Sequence, residues 1–334
     1  MRYRSLQILL IAAAISAAAA TTLAQADPKP GPYVPKPAIQ PAPVYGPSTS
    51  VIERSLPVAA NLTASLCVIK GNVHINGWDR KEMRVLIKDG SDFAFRVLES
   101  DSDGLAAWTT LQSSPNGPRR SPSSDCVSGD RIEVDVPFGS RIDIKGQEST
   151  VEVDSVRVVK ISNVGGDASI RNVSEGVSAT VYQGDISVMD SSGPASLETT
   201  TGNIVAVDLK PRQPGENFRA KTNNGVISVS GLGFRQSEIS TISGTVSYVG
   251  KILEGGSYSF ATTSGSIRLE LPETTSSIIA ASYGFGGFNT DLPMKILTED
   301  VSPGSFKRVT GQIGGGGATV KLSTTSGNIV IKKR

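Results

Sequence analysis

Along the second half of the chain, apolar residues fall at every second position in short runs, and each run keeps the same phase to a glycine. Two residues after Gly184, Gly202, Gly225, Gly244, Gly265 and Gly327 stand Ile186, Ile204, Ile227, Val246, Ile267 and Ile329. Four residues after them stand Val188, Ala206, Val229, Tyr248, Leu269 and Ile331. The positions between are small or polar, among them Asp185, Ser187, Ser228, Ser247 and Arg268. A strand with one buried and one solvated face has this alternation. Each run is therefore predicted to be one short strand.

The repeat around these strands is nearly verbatim: TTTGNIVAVD from Thr199, TNNGVISVSG from Thr222, TISGTVSYVG from Thr241, TTSGSIRLEL from Thr262 and TTSGNIVIKKR from Thr324. Glycines at 146, 166, 184, 202, 225, 244 and 265 give spacings of 20, 18, 18, 23, 19 and 21 residues. Strand–helix–strand units need about 30 residues or more, so the period is too short for helical crossovers. Stacked rungs satisfy it, each strand pairing in parallel with its equivalent one turn on. A sandwich of hairpins also uses frequent short strands, but it has no need of one strand type returning in phase. The fold class expected is all-β, a parallel β-solenoid with rungs of about 20 residues, right-handed because parallel crossovers are. Glycine supplies the positive φ of each corner, and the Thr and Ser before it are expected to bond the turn backbone. The 62 residues from Gly265 to Gly327 are read as about three further turns. Lys332, Lys333 and Arg334 are read as charge guarding the exposed edge of the final strand.

Four stretches follow from the composition. Residues 1–26 read as an export signal, with Arg2 and Arg4, an apolar run from Ile8 to Ala20 and the small-residue cleavage site Ala24-Gln25-Ala26. Residues 27–50 form a proline-rich disordered linker, with eight prolines between Pro28 and Pro47. Residues 51–131 form an atypical N-terminal cap of β-strands, in which Val73 and Ile75 keep the repeat phase after Gly71 and Ser113–Gly129 is a surface loop. Residues 132–334 are the solenoid repeats.

Charge narrows the partners. Of 33 basic and 31 acidic residues, two basic ones lie in the export signal, which leaves 31 against 31. Such a balance gives no electrostatic reason to bind nucleic acid or anionic lipid. No later stretch is apolar enough to cross a membrane as a helix.

Cys67 and Cys126 are the only cysteines, and in an exported chain an even pair reads as a disulfide. With one histidine they are too few for a zinc site of the usual composition, and no cofactor is expected. That histidine, His74, alternates with Val73 and Ile75 and so faces outward. No nucleophile, base and orienting acid recur at a triad's spacing. Asp190 and Asp208 both lie six residues after their glycines, which stacks them on adjacent rungs. They are either an acid pair or calcium site or, the reading preferred here, two residues suited to a corner. Gly314–Gly317 lacks the lysine and helix of a phosphate loop and reads as a tight turn. In Ser282–Pro293, Tyr283, Phe285 and Phe288 crowd among glycines and form a candidate binding patch, with core filling as the competing role.

The run GNVHINGWDRKEMRV (Gly71–Val85), the step VDVPFGSRIDIKG (Val134–Gly146), the recurring TxSGxI strands and the glycine run before the last of them resemble, in their order, the bacterial β-strand-repeat domain of unknown function known as the putative adhesin domain. The resemblance spans roughly Val58–Arg334 and implies an exported solenoid of the cell envelope, in the periplasm or at the cell surface. It brings no catalytic residues. The function expected is non-catalytic, an adhesin-like binding or scaffold module for envelope polysaccharide or a surface protein. A carbohydrate-active enzyme on a β-helix and a self-assembling envelope subunit are the alternatives.

Overall fold

The structure is a computed structural model that describes residues 50–113, 126–300 and 306–334. The export signal, nearly all of the proline-rich linker and the centre of the Ser113–Gly129 loop lie outside the described residues. Among the described residues there are 24 strands in one sheet and no helix. The architecture is a parallel β-solenoid.

The regular rungs are pairs of strands flanking a corner glycine. They are β7 (Val158–Gly165) with β8 (Ala168–Arg171), β9 (Val177–Gln183) with β10 (Ile186–Met189), and β11 (Ala195–Thr201) with β12 (Ile204–Val207). Next come β13 (Asn217–Asn224) with β14 (Ile227–Ser230), β15 (Gln236–Ser243) with β16 (Val246–Val249), and β17 (Ser257–Ser264) with β18 (Ile267–Leu271). Each strand pairs in parallel with its equivalent on the next rung, as Ile186 with Ile204, Ile204 with Ile227, and Ile227 with Val246. These side chains are fully buried. Burying one such side chain stabilises by about 1.5–3 kcal/mol, so the axial stack is the main apolar term holding one rung to the next.

The corner has two requirements that meet at glycine. A Cβ on Gly265 would fall on the carbonyl oxygen of Gly244, and the same holds down the column from Gly202 to Gly327. The threonine three residues earlier closes the contact. Thr199, Thr222, Thr241 and Thr262 donate their hydroxyls to the carbonyls of Gly184, Gly202, Gly225 and Gly244 on the preceding rung, at 3.0–3.2 Å. Thus the threonine bonds the neighbouring rung's turn, where the sequence suggested its own.

The C-terminal region departs from a simple coil. β19 (Ser277–Phe285) and β20 (Phe288–Thr290) form a rung that does not pair with β17 and β18. The chain turns back through the antiparallel strands β21 (Met294–Asp300) and β22 (Lys307–Ile313). It then inserts β23 (Ala318–Ser326) and β24 (Ile329–Lys333) into the gap, where β23 pairs with both β17 and β19 and β24 with both β18 and β20. The 62 residues after Gly265 are therefore not three successive turns. Nor is the final strand an edge: Lys332 lies opposite Glu270 and Lys333 opposite Leu271, with Lys333 Nζ 2.9 Å from Glu273. Among the described residues, the outer strands at this end are β21, paired only with β22, and β20, paired only with β24.

The other end mirrors this arrangement. β1 (Val51–Trp78) is the first strand of the chain, yet it lies between later ones. On one side it pairs with β4 (Ala106–Ser113) and β5 (Val127–Pro137), and on the other with β6 (Arg141–Asp154). Antiparallel strands complete the cap: β3 (Phe93–Ser100) against β4, and β2 (Glu82–Gly90) against β5 on one side and against the first residues of β1, Val51–Pro57, on the other. The outer strands β3 and β21 carry a bulge, at Leu98 and at Leu297, while the other outer segments, Val51–Pro57 of β1 against β2 and β20 against β24, have none. Bulges and flanking charges are how exposed edges avoid pairing with another chain.

Candidate recognition surfaces

Asp190 and Asp208 sit opposite each other at one corner, in a column that runs Ser155, Asn172, Asp190, Asp208, Gly231. All five have a positive φ, between 50° and 68°. Asp, Asn and Gly tolerate that left-handed conformation best, which accounts for the residue types without invoking a reaction. The Asp208 carboxylate leans over Gly231, where a Cβ would overlap its Oδ1. Higher in the same corner, burial raises the carboxyl of Asp154, but hydrogen bonds from Asn172 Nδ2 (2.8 Å) and Ser155 Oγ (2.7 Å), with Arg171 beside them, leave it below its ordinary range. No group of three or more His, Cys, Asp or Glu poised for a metal occurs among the described residues.

His74 projects outward as expected and is half-buried against Glu152, with Nδ1 3.0 Å from Oε2. Its direct neighbours across the sheet are Glu133 and Glu152. No serine or cysteine nucleophile stands opposite it in either register.

The structure divides the aromatic candidates. Phe288 takes the isoleucine position of the last parallel rung, opposite Ile329, and is packed against the core. Tyr283 lies opposite Thr324, in the inward threonine column, and is 7% exposed. The patch drawn from sequence is corrected here, because two of its three rings point into the solenoid. Phe285 alone takes the corner position of Ser326 and is 79% exposed. Its solvent-facing companion is Phe306, whose ring edge lies 3.4 Å from where a Cβ on Gly284 would stand. Phe306 had no repeat phase to announce it, since it precedes the antiparallel β22.

Cys67 in β1 and Cys126 just before β5 are joined as a disulfide, with Cα atoms 4.5 Å apart. The bridge ties two adjacent rungs of the N-terminal cap. Cys67 also borders a surface cleft of about 360 Å³ walled by Trp108. Trp108 is 42% exposed and donates its indole N–H to Ser65 Oγ at 3.0 Å. Nothing in the sequence reading singled it out, because β4 lies outside the regular repeat. Its outward phase in a strand was the available signal.

Residues 191–332, which run from just before β11 into β24, match the family described as Toastrack DUF4097. The matched stretch is shorter than the Val58–Arg334 span over which the motifs resemble an adhesin domain. Among the solved structures similar to the chain are two bacterial ones. One is a putative cell adhesion protein from Clostridium sporogenes ATCC 15579, with 12% identity and a TM-score of 0.26, covering 85% of this chain and 100% of that one. The other is a putative adhesin from Bacteroides fragilis NCTC 9343, with 13% identity and a TM-score of 0.37, covering 85% of this chain and 97% of that one. No curated protein matches the chain.

Proposed function

We propose that this chain is an exported, non-catalytic protein of the cell envelope that acts as a rigid recognition module. The observation that carries the reading is the set of exposed aromatic side chains on or beside the strands of the scaffold: Phe285 at 79%, Tyr182 at 63%, Phe138 at 53%, Phe306 at 45% and Trp108 at 42%. Exposed aromatic rings on a scaffold that loses no entropy on binding are efficient anchors. Export rests on the charged, apolar and small-residue segments of residues 1–26, and the Cys67–Cys126 bridge suits an oxidising compartment.

Two features argue against the alternatives. The paired aspartates of the enzyme reading occupy left-handed corner positions that explain them structurally. Self-assembly through the solenoid ends meets bulges in the outer strands β3 and β21, and at the other two outer segments it meets only seven residues, Val51–Pro57, and the three-residue β20.

The test is retention of the chain from Asp27 onward on isolated envelope fractions, beside a Phe285→Ala/Phe306→Ala variant with an unchanged melting temperature. Saturable retention weakened in the variant is expected. Absence of retention for the unaltered, folded chain on every fraction would remove the reading.

A further inference from the structure

The cleft beside Trp108 has a chemistry that the aromatic rim at the other end lacks. It lies on the outward face of four consecutive strands, β4, β1, β6 and β7. At spacings of about 4.8 Å these strands span roughly 14 Å, and the volume of about 360 Å³ falls in the range of small-ligand sites. Trp108 forms one wall. Its only polar atom is already committed to Ser65, so the ring is held in one orientation and offers an apolar face. Small side chains make the floor, because Ser65 lies in register with Asp143 and Cys67 with Lys145.

The far wall is charged. Lys145 on β6 and Lys160 on β7 are exposed, and among the described residues neither has an ion-pair partner. Asp143, directly opposite Lys160, is engaged by Arg141, with Nε 3.3 Å from Oδ1. The lining carries two basic groups against one acidic group, and that acidic group is paired with Arg141 beside the cleft, in a chain whose exported part is balanced at 31 against 31. Elsewhere arginines such as Arg157 and Arg268 are paired, with Glu175 and Glu270, while exposed lysines such as Lys221 and Lys321 stand without an ion-pair partner among the described residues, as Lys145 and Lys160 do. What is local here is that two such ammonium groups share one cleft with a fixed indole.

We infer that the cleft walled by Trp108, Lys145 and Lys160 binds an acidic polysaccharide through its uronic-acid rings. The apolar face of a pyranose stacks on the indole, the ring carboxylate meets the two ammonium groups, and the hydroxyls find acceptors in Asp143 and Thr110, both of which line the cleft. A neutral glycan would leave the lysines unused. A polyanion without a ring face would leave the tryptophan unused. The inference rests on the reading of the chain as a recognition module, but it concerns a surface remote in the rung order from Phe285.

The experiment is calorimetric titration of the chain from Asp27 onward with a galacturonic-acid oligomer, a maltose-type oligomer of equal length and dextran sulfate. Expected are saturable binding of the uronate oligomer that weakens with salt and no binding of the neutral one. Trp108→Ala should weaken binding by about tenfold or more, and Trp108→Phe, which keeps a ring face, should retain most of it. Lys145→Gln/Lys160→Gln should weaken binding and flatten its salt dependence. Melting temperatures of all variants check that the fold persists. Equal binding of the neutral oligomer, or binding indifferent to both Trp108 variants and matched by dextran sulfate, would overturn the inference. Failure of the uronate oligomer while envelope fractions still retain the chain would overturn this assignment alone and leave the recognition reading standing.

Discussion

The hydroxyl of Thr324 donates to the carbonyl oxygen of Gly265 at 3.0 Å, across 59 residues. Every other bond of this type joins residues 15 to 20 apart in the chain. The same contact, made over three times the separation, marks where the last segment enters a slot between two earlier rungs. Asn328 repeats the evidence one corner on: its N–H meets Ser266 Oγ at 3.3 Å, and its Oδ1 accepts from the N–H of Gly287 at 2.9 Å. The C-terminal rung thus has an earlier rung on both sides.

An inserted rung has no solvent-exposed flank, so its inward side chains should behave like those of the solenoid centre. Ile331→Ala is expected to cost about 2–5 kcal/mol, because Ile331 is 0% exposed between Leu269 and Thr290. Val330→Ala, on the outward face, should cost well under half as much. Chemical denaturation of the two variants measures the difference. Equal costs would mean that β24 is a frayed end.

The corner glycines separate two kinds of constraint. Gly265→Ala puts a Cβ onto the Gly244 carbonyl, and no rotation of a side chain relieves that clash with backbone. Gly104 also has a positive φ, of 76°, but nothing lies within 4 Å of a Cβ there. Gly104→Ala is expected to cost about 1–2 kcal/mol, and Gly265→Ala several times more, to the point of poor folding yield. Comparable melting temperatures for the two would refute the stacked-corner account.

Alkali should probe the aromatic part of the core. Burial, reinforced by the neighbouring Tyr258, pushes the Tyr248 hydroxyl far above its ordinary range. Burial also raises Tyr258, partly offset by the N–H that Leu253 donates to it. Below about pH 10 both hydroxyls are protonated in the folded and unfolded chains, so they give stability no slope. Above it the unfolded chain ionises first, and stability falls as pH rises toward the folded values. The denaturation midpoint should therefore drop between about pH 10 and 12, and by less in Tyr248→Phe. A phenolate absorbance titration in which all tyrosines ionise together while the chain stays folded would contradict this.

Reduction should act on one end of the molecule. The Cys67–Cys126 bridge closes a separation of 59 residues, for which chain entropy predicts a stabilisation of about 4 kcal/mol. Cys67→Ser/Cys126→Ser should lower the unfolding temperature and expose β3 and β4 to protease before the regular rungs. An unchanged melting curve on reduction would show that the cap holds without it.

The redrawn aromatic surface shows how far a one-dimensional pattern reaches. Phe288 has the phase of an inward isoleucine, and that is where it lies. Tyr283 lies three residues before Gly286, the inward threonine position, and faces in. Among Gly284, Gly286 and Gly287 the phase is ambiguous in the sequence, which groups all three rings as one patch. Trp108 and Phe306 lay in segments with no repeat to give them a phase.

What the sequence determined by itself is the rung: alternation sets which side chains face inward, and the carbonyl of a neighbouring turn admits only glycine at the corner. Both are consequences of local geometry, repeated at a readable period. The order in which rungs stack was decided only in the tertiary structure. Any rung with an isoleucine column and a threonine–glycine corner pairs equally well with any other, so the repeat carries no information about its neighbours. The slots taken by β1 and by β23 with β24 depend instead on where the antiparallel strands β2 and β3, and β21 and β22, leave an open side. That placement brings Trp108 across from Lys145 and Lys160, since β1 lies between β4 and β6 although it precedes both in the chain.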